Sequence, residues 1–455
     1  MGNAITEKQH AEDVKIILDV GANSVRLAHY QQNSYFYDLC DESGLLVWAE
    51  VPVISRFSPK RNENAEQQLV ELIKQNYNHP SIFCWGIENE ITIAGSANKK
   101  LITFLKHMHK VARHLDPTRY TTCAQLTMCP VNSPLNHITD IIGYNHYYGW
   151  YMGSCDEINN WLDEWHRENP EGKLCLSEYG AEGITKYHSD SPVQGDYSAA
   201  YTAIYHEHYI KSINERDWLW GSYVWNMFDF GSASRNEGGV RGRNNKGLVT
   251  FDRKPKKDAF WLYKAYWSDK KFVHITGERY VNRPAGKSTI KVYSNCPEVT
   301  LEVNGKTYTK KADRVFIFDD VELKLGENVI KARGGKVRPS HTITVNGIEK
   351  ATDEYKMPAE YSSVVRNWFV AADSEGDPNK LAVEDSMGEV LSNGEVNKII
   401  KNAAGDFAAK AVSSPLLKPI YPVKVKTMIK LAGKLGVDEK MLSLAGGFLQ
   451  TIDKN

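Results

Sequence analysis

The feature that most constrains this chain is a series of short apolar segments that each turn polar at their last residues. NSVRLAHY (23–30) ends in His29 and Tyr30, and SIFCWGIENE (81–90) ends in Asn89 and Glu90. DIIGYNHYY (140–148) ends in Asn145, His146 and Tyr147, KLCLSEY (173–179) carries Glu178, and WGSYVWNMFDF (220–230) carries Trp225 and Asn226. A near-continuous apolar run fits a strand buried on both faces, as in a parallel sheet covered by helices. Polar groups at the C-terminal ends of such strands are where α/β barrels place their chemistry.

Helical patterns fill the gaps between these runs. Thr6-Glu7-Lys8-Gln9 reads as a capping box, Ala11, Val14, Ile17 and Leu18 recur at helical spacing, and Gly21 marks a stop. Further helices are expected over NSYFYDLCDESG, near 64–77, at 96–114, 156–168 and 196–215, and over KKDAFWLYKAYW. LLVWAEVPV (45–53) and YTTCAQL (120–126) complete a count of seven strands before about residue 230. Seven is the count left when a (β/α)₈ barrel lacks its first strand; a doubly wound open sheet is the competing architecture.

The pattern changes after residue 270. Between 271 and 348, STIKVYS, VTLEVNG, RVFIFDDV, NVIKARGG and HTITVNG alternate apolar and polar residues, and Asn304-Gly305 is a hairpin signal. This predicts an antiparallel, immunoglobulin-like β-sandwich. Residues 349–420 read as a linker or mixed segment, and 421–455 as a helical C-terminal cap.

Composition narrows the function classes. Lys plus Arg and Asp plus Glu both number 56, so no basic face for nucleic acid is indicated. No apolar stretch approaches the roughly 18 residues of a membrane span. The seven cysteines form no C-x-x-C pair and lie mostly in apolar runs, which reads as buried free thiols. With no signal-peptide core at the N-terminus, these thiols favour a cytoplasmic location. No strand is followed by G-x-G-x-x-G, which argues against a dinucleotide-dependent dehydrogenase.

Glu90 and Glu178 stand 88 positions apart. At about 31 residues per βα unit, that is close to three units, which places the two carboxylates across a barrel mouth from each other. Such a pair suits glycoside hydrolysis, one carboxyl protonating the leaving oxygen and the other attacking the anomeric carbon. Glu88, two residues before Glu90, is read as structural support.

GIENEI (86–91) and LSEYGAEG (176–183) resemble the acid/base and nucleophile motifs of glycoside hydrolase family 2. NSVRLAHY, YDLCDESGLLVWAEVP, NHYYGWY and KGLVTFDRKPKKDAF are also similar to family segments, in the family's order, over roughly residues 1–270. The resemblance implies a TIM (β/α)₈-type catalytic barrel over 1–270, here without its first strand, and a retaining exo-β-glycosidase acting by double displacement. Glu90 then corresponds to the acid/base and Glu178 to the nucleophile. His29, Asn89, Asn145, Tyr147 and Trp225 correspond to sugar-binding positions, Tyr147 as a hydrogen-bond partner of the nucleophile and Trp225 as a floor for the sugar ring. Asn244-x-Lys246 matches a pair that grips the sugar carboxylate in the family's glucuronidases, but similar N-x-K-G-L-V runs also occur among its galactosidases, so the pair alone does not choose between them; a solvated basic turn is the further alternative.

The expected substrate is a terminal β-D-galactoside or a related β-linked sugar, with β-glucuronidase activity, or a truncated sugar-binding product without turnover, as the alternatives. The family's N-terminal domains and first barrel strand have no counterpart in this sequence. The resemblance allows a divalent cation, but no ligand set can be matched, so no metal residue and no cofactor is assigned. Homo-oligomerisation is left open.

Overall fold

The computed structural model describes residues 4–93, 97–335 and 339–358, together with 361, 381–382, 385–397, 414–428, 449, 452 and 454. The first part alternates helix and strand: α1 (Glu7–Val20), β1 (Ser24–Leu27), α2 (Ser34–Ser43), β2 (Leu46–Glu50), α3 (Asn62–Asn76), β3 (Ile82–Asn89), α4 (Lys99–Leu115) and β4 (Tyr120–Leu126). It continues through β5 (Ile142–Asn145), α5 (Glu157–Glu168), β6 (Leu174–Tyr179), α6 (Ala199–Asn214) and β7 (Gly221–Val224). These seven strands form one sheet in chain order, every neighbouring pair parallel. This is the TIM-barrel arrangement, short of closure between β7 and β1.

Local chemistry explains the helix starts. Asn33 Oδ1 accepts from the Tyr35 amide at 2.9 Å, Asn98 Oδ1 from Leu101 at 3.0 Å, and Ser198 Oγ from Tyr201 at 3.0 Å. Each satisfies an amide that the first helical turn leaves without a partner. At α1 the Thr6 amide donates to the Gln9 side chain at 2.8 Å, as the capping-box pattern predicts.

A hairpin absent from the sequence reading follows β7: β8 (Phe230–Glu237) pairs with β9 (Val240–Asn244). Its residues, GSASRNEGGVRGRN, do not alternate in polarity, so no strand period was visible; buried charges hold it instead. α7 (Asp258–Trp267) then packs on α1. Arg253 bridges Asp13 on α1 at 2.8 Å, and Lys264 bridges Asp19 at 2.7 Å. Gly21, at φ 89°, lies so close to α7 that a Cβ there would sit 2.6 Å from the Trp267 carbonyl carbon. The helical layer is therefore closed where the strand layer is open.

The second part carries β10 (Val273–Ile275), β11 (Asn282–Pro284), β12 (Gly286–Ser294), β13 (Glu298–Val303), β14 (Lys306–Lys311), β15 (Val315–Leu323), β16 (Gly326–Gly334) and β17 (Ser340–Ile348). They form a three-stranded sheet, β10-β12-β15, and a five-stranded sheet, β11-β17-β16-β13-β14. Ile290, Val292, Leu301, Phe316, Ile330 and Val345 are among the residues of their shared core. Asn304 and Gly305 have φ of 48° and 81°, the backbone a two-residue hairpin turn of type I′ demands. The pairing departs from the wholly antiparallel expectation at one edge, where β11 runs parallel to β17.

Beyond this lies α8 (Met387–Ser392), inside the segment expected to be a linker, with a small apolar cluster that includes Leu381, Val390, Val425 and Ile452. The helical cap expected over 421–455 falls mostly outside the described residues. Among the described residues no helix is long and apolar enough to cross a membrane.

Candidate active site

The polar strand ends converge at the C-terminal side of the barrel. Asn89 closes β3, and Glu90 follows it at φ 49°, its amide donating to the Ala124 carbonyl of β4 at 2.8 Å. Asn145 closes β5 and reaches both: its Nδ2 lies 3.1 Å from Asn89 Oδ1 and 3.0 Å from Glu90 Oε1. Ser177 Oγ donates to Asn145 Oδ1 at 2.7 Å, which orients the amide.

Glu178 is gripped from two sides. The Tyr147 hydroxyl donates to Oε2 at 2.8 Å, and Arg26 Nη1 donates to Oε1 at 2.7 Å. The same guanidinium donates to Asn89 Oδ1 at 2.8 Å and to Glu50 at the end of β2. His29 lies 3.3 Å from Glu50 through Nδ1 and stacks on Trp225, ring centroids 5.3 Å apart, so the segments that follow β1 and β7 touch.

The charges separate into distinct roles. Burial, reinforced by the negative charge of Glu178, raises the Glu90 carboxyl to about 7. Burial also pushes Glu50 upward, but the Arg26 charge and the His29 contact outweigh it and hold Glu50 below its ordinary value. Burial and the neighbouring Glu178 keep the Tyr147 phenol protonated, as its donor role requires. Two residues before Glu90, Glu88 is raised to about 8 by burial; it accepts from Gln125 at 2.9 Å and from the Ile91 amide at 3.2 Å. It braces the end of β3, in line with the supporting role read from the sequence.

A second buried cluster adjoins Tyr147. Lys246 Nζ donates to the Tyr151 hydroxyl at 2.7 Å and to Glu182 at 2.9 Å. From β8, Arg235 reaches Glu182 and Glu237, each at 2.9 Å, and Tyr151 at 3.2 Å. The Tyr151 ring lies 4.9 Å from that of Tyr147. Burial works against the Glu182 charge, but Lys246 and Arg235 bring its pKa down to about 2. Burial and the Glu182 charge raise Glu237 to about 8. Lys246 and Arg235 thus converge on Glu182 and on the Tyr151 hydroxyl, and Arg235 also pairs with Glu237. Asn244 Oδ1 accepts from the Lys246 amide at 3.0 Å and shapes the turn that presents the lysine.

Seven of the nine sequence-derived positions thus meet around Glu90 and Glu178, and Asn244 and Lys246 sit in the adjoining cluster. Arg26, Glu50, Tyr151, Glu182 and Arg235 were not singled out from the sequence. For Arg26 a signal existed: an arginine inside a buried apolar strand must find a charge partner.

His274, Glu278 and His341 offer ligand atoms within 4.8 Å of one another at the sandwich. Their hydrogen bonds oppose metal binding. His341 Nδ1 accepts from the Ile275 amide at 3.0 Å, so its Nε2 carries the proton, and His274 Nε2 faces Asp258 at 3.2 Å.

A parallel barrel with buried glutamates at the ends of β3 and β6 fits the glycoside-hydrolase class of α/β barrels. Residues 1–271 match the model of the glycosyl hydrolases family 2 TIM barrel domain. The chain belongs to that family. A β-glucuronidase of Bacteroides fragilis is 38% identical over 373 residues, covering 78% of this chain and 51% of the relative. An FMN-binding β-glucuronidase of Faecalibacterium prausnitzii L2-6 superposes with a TM-score of 0.76 at 49% identity, over 78% of this chain and 55% of that one. A putative β-galactosidase of B. fragilis gives a TM-score of 0.71 at 35% identity, over 76% of this chain and 52% of that one. The chain spans about half the length of the curated relatives it matches.

Proposed function

We propose that this chain carries the catalytic barrel of a retaining β-glucuronidase, in place of the β-galactosidase that sequence reasoning put first. The observation that carries the reading is the cluster beside Tyr147, where the buried cations Lys246 and Arg235 converge on Glu182 and the Tyr151 hydroxyl. A buried lysine and arginine there suit a sugar bearing a carboxylate, with which they can form charge-assisted hydrogen bonds, better than a neutral galactoside. Several relatives bear the name β-glucuronidase, which supports the same choice.

In this proposal Glu178 attacks the anomeric carbon while protonated Glu90 gives its proton to the leaving oxygen. Forming the glycosyl ester removes the charge on Glu178, and with it one cause of the raised Glu90 pKa. Glu90 is then a carboxylate able to take a proton from the attacking water, and it is reprotonated as the ester is cleaved. Asn89 uses its oxygen for Arg26 and Asn145, which leaves its amide nitrogen for a sugar hydroxyl. Trp225, stacked on His29, offers an aromatic face to the sugar ring. The proposed units are a catalytic barrel over 1–270, a sandwich over 271–348, a linker over 349–420 and a cap over 421–455; the separate apolar cores of barrel and sandwich support the first division.

A panel of nitrophenyl β-glucuronide, β-galactoside and β-mannoside tests the substrate. Cleavage of the glucuronide alone is expected; cleavage of the galactoside alone would reject the proposal. The open β1–β7 edge favours a second reading, sugar binding without turnover, which binding of glucuronate with no hydrolysis would select.

A further inference from the structure

The register of β3 against β4 breaks just before Glu90. Gly86 pairs with Thr122 and Asn89 with Ala124, so three steps along β3 are matched by two along β4. The extra residue makes a bulge, a feature that re-aims side chains next to functional sites. Glu88 lies inside it, and Glu90 follows two residues on. In a regular strand, residues two apart share a face. Here their contacts part: Glu90 meets Asn145, and Glu88 meets Gln125 of β4 and the Ile91 amide.

Glu90 adopts φ 49°, a left-handed backbone that is costly for any residue with a side chain and persists only where its surroundings hold it. Three nearby amides are tied to backbone carbonyls. That of Asn89 donates to Val53 at 2.9 Å, that of Glu90 to Ala124 at 2.8 Å, and that of Ile93 to Glu90 at 3.0 Å. The Ile91 amide differs, because its acceptor is a side chain, Glu88 Oε2 at 3.2 Å. This contact closes a ring from the Glu88 side chain through Asn89 and Glu90 to Ile91, with the left-handed residue inside it. Ile91 is 1% exposed, so water cannot replace the carboxyl, and a buried amide without an acceptor drives the turn to rearrange. Glu88 is held in turn by Gln125 Nε2 at 2.9 Å, and both residues are buried.

We propose that Glu88 is the positioning residue for the acid/base: by holding the Ile91 amide it fixes the left-handed turn at Glu90 and aims that carboxyl at the leaving oxygen. The inference rests on the reading of Glu90 as acid/base and does not depend on which sugar is cleaved. A residue that only braced β3 would affect all substrates alike, whereas one that aims the acid affects those that need a proton.

A weakly basic leaving group departs without a proton, and phenol does not. The test measures kcat/KM, which reports the step that forms the glycosyl-enzyme, on phenyl and 2,4-dinitrophenyl β-glycosides of the sugar the full chain cleaves. Glu88→Ala is expected to lose about 10²-fold or more on the phenyl glycoside and less than about threefold on the dinitrophenyl one, the pattern also expected of Glu90→Ala. Glu88→Gln keeps an oxygen for the Ile91 amide and should restore the phenyl rate to within about fivefold of the unchanged protein. If Glu88→Ala does not fold, Gln125→Met, which deprives Glu88 of its own donor, should show the same leaving-group dependence at smaller amplitude. Equal losses on both substrates, or Glu88→Gln as impaired as Glu88→Ala, overturn the proposal. A Glu90→Ala profile without leaving-group dependence rejects Glu90 as the acid/base instead. Hydrogen exchange at Ile91 then tests the clamp alone: exchange at least about tenfold faster in Glu88→Ala than in Glu88→Gln supports it, and equal exchange overturns it.

Discussion

Replacing Arg26 with Met removes the one cation shared by Glu50, Glu178 and Asn89 while keeping an unbranched side chain of similar length. The guanidinium side chain is 2% exposed, as is that of Glu50, so water cannot take over the lost contacts. Breaking a buried ion pair by removing one partner costs about 3–5 kcal/mol, because the remaining charge is left without compensation. The pH dependence gives the sharper check. With Arg26 present, Glu50 titrates below its ordinary value, so it contributes stability above about pH 4.5 that is lost as the pH falls through its folded value. Without Arg26, burial, the largest influence on Glu50, acts with only His29 against it, and the folded pKa rises above the unfolded one. The sign then reverses: Glu50 opposes folding at neutral pH, and that penalty is relieved on acidification. Urea denaturation of both chains between pH 7 and pH 4, followed by barrel tryptophan fluorescence, should show a gap of about 3–5 kcal/mol at pH 7 that narrows as the pH falls. A gap below about 1 kcal/mol, or one that widens with acid, would refute the reasoning, since it would mean that Glu50 and Glu178 are satisfied by other groups.

Other expectations follow from the same geometry. Glu90 must be protonated for the first step and is raised to about 7, so kcat/KM should fall as pH rises through 7, and Glu90→Gln should abolish that limb in a pH–rate profile on nitrophenyl glucuronide. Lys246→Met removes one of the two cations at Glu182 and should lower kcat/KM on the glucuronide by about 10²-fold or more, with little effect on any residual galactoside cleavage. Gly21→Ala combines an unfavourable backbone angle with a Cβ 2.6 Å from the Trp267 carbonyl carbon, and should cost about 1–3 kcal/mol of barrel stability in calorimetry with the sandwich transition unmoved.

Much of the architecture was legible because burial on both faces writes long apolar runs into parallel strands. IFCWGIEN and LCLSEY could be read as strands from pattern, with Asn89, Glu90 and Glu178 as polar groups at their ends; the roles given to these residues came from the resemblance to the family. The Asn304-Gly305 turn was legible because only a few residues tolerate its backbone. What stayed hidden has equally physical reasons. The β8–β9 hairpin is tied to the barrel by the ion pair of Arg235 with Glu182, a contact distant in sequence that leaves no period in it. Arg26 was passed over because a single charged residue in a four-residue strand does not disturb its apolar pattern. In the proposed function the choice between neutral and acidic sugar rests on Lys246, Arg235 and Glu182 meeting in space, and residues 64 and 53 positions apart carry no local signature of pairing.

The most direct test of the central claim is to trap the glycosyl-enzyme. The full chain is incubated with 2-deoxy-2-fluoro-β-glucuronyl fluoride or with its galactosyl counterpart, digested, and the labelled peptide sequenced by mass spectrometry. A single glucuronyl adduct on Glu178, absent after galactosyl treatment and absent in Glu178→Gln, is the predicted result. Label on Glu90 or Glu182, labelling by the galactosyl reagent alone, or no label from either reagent would contradict it.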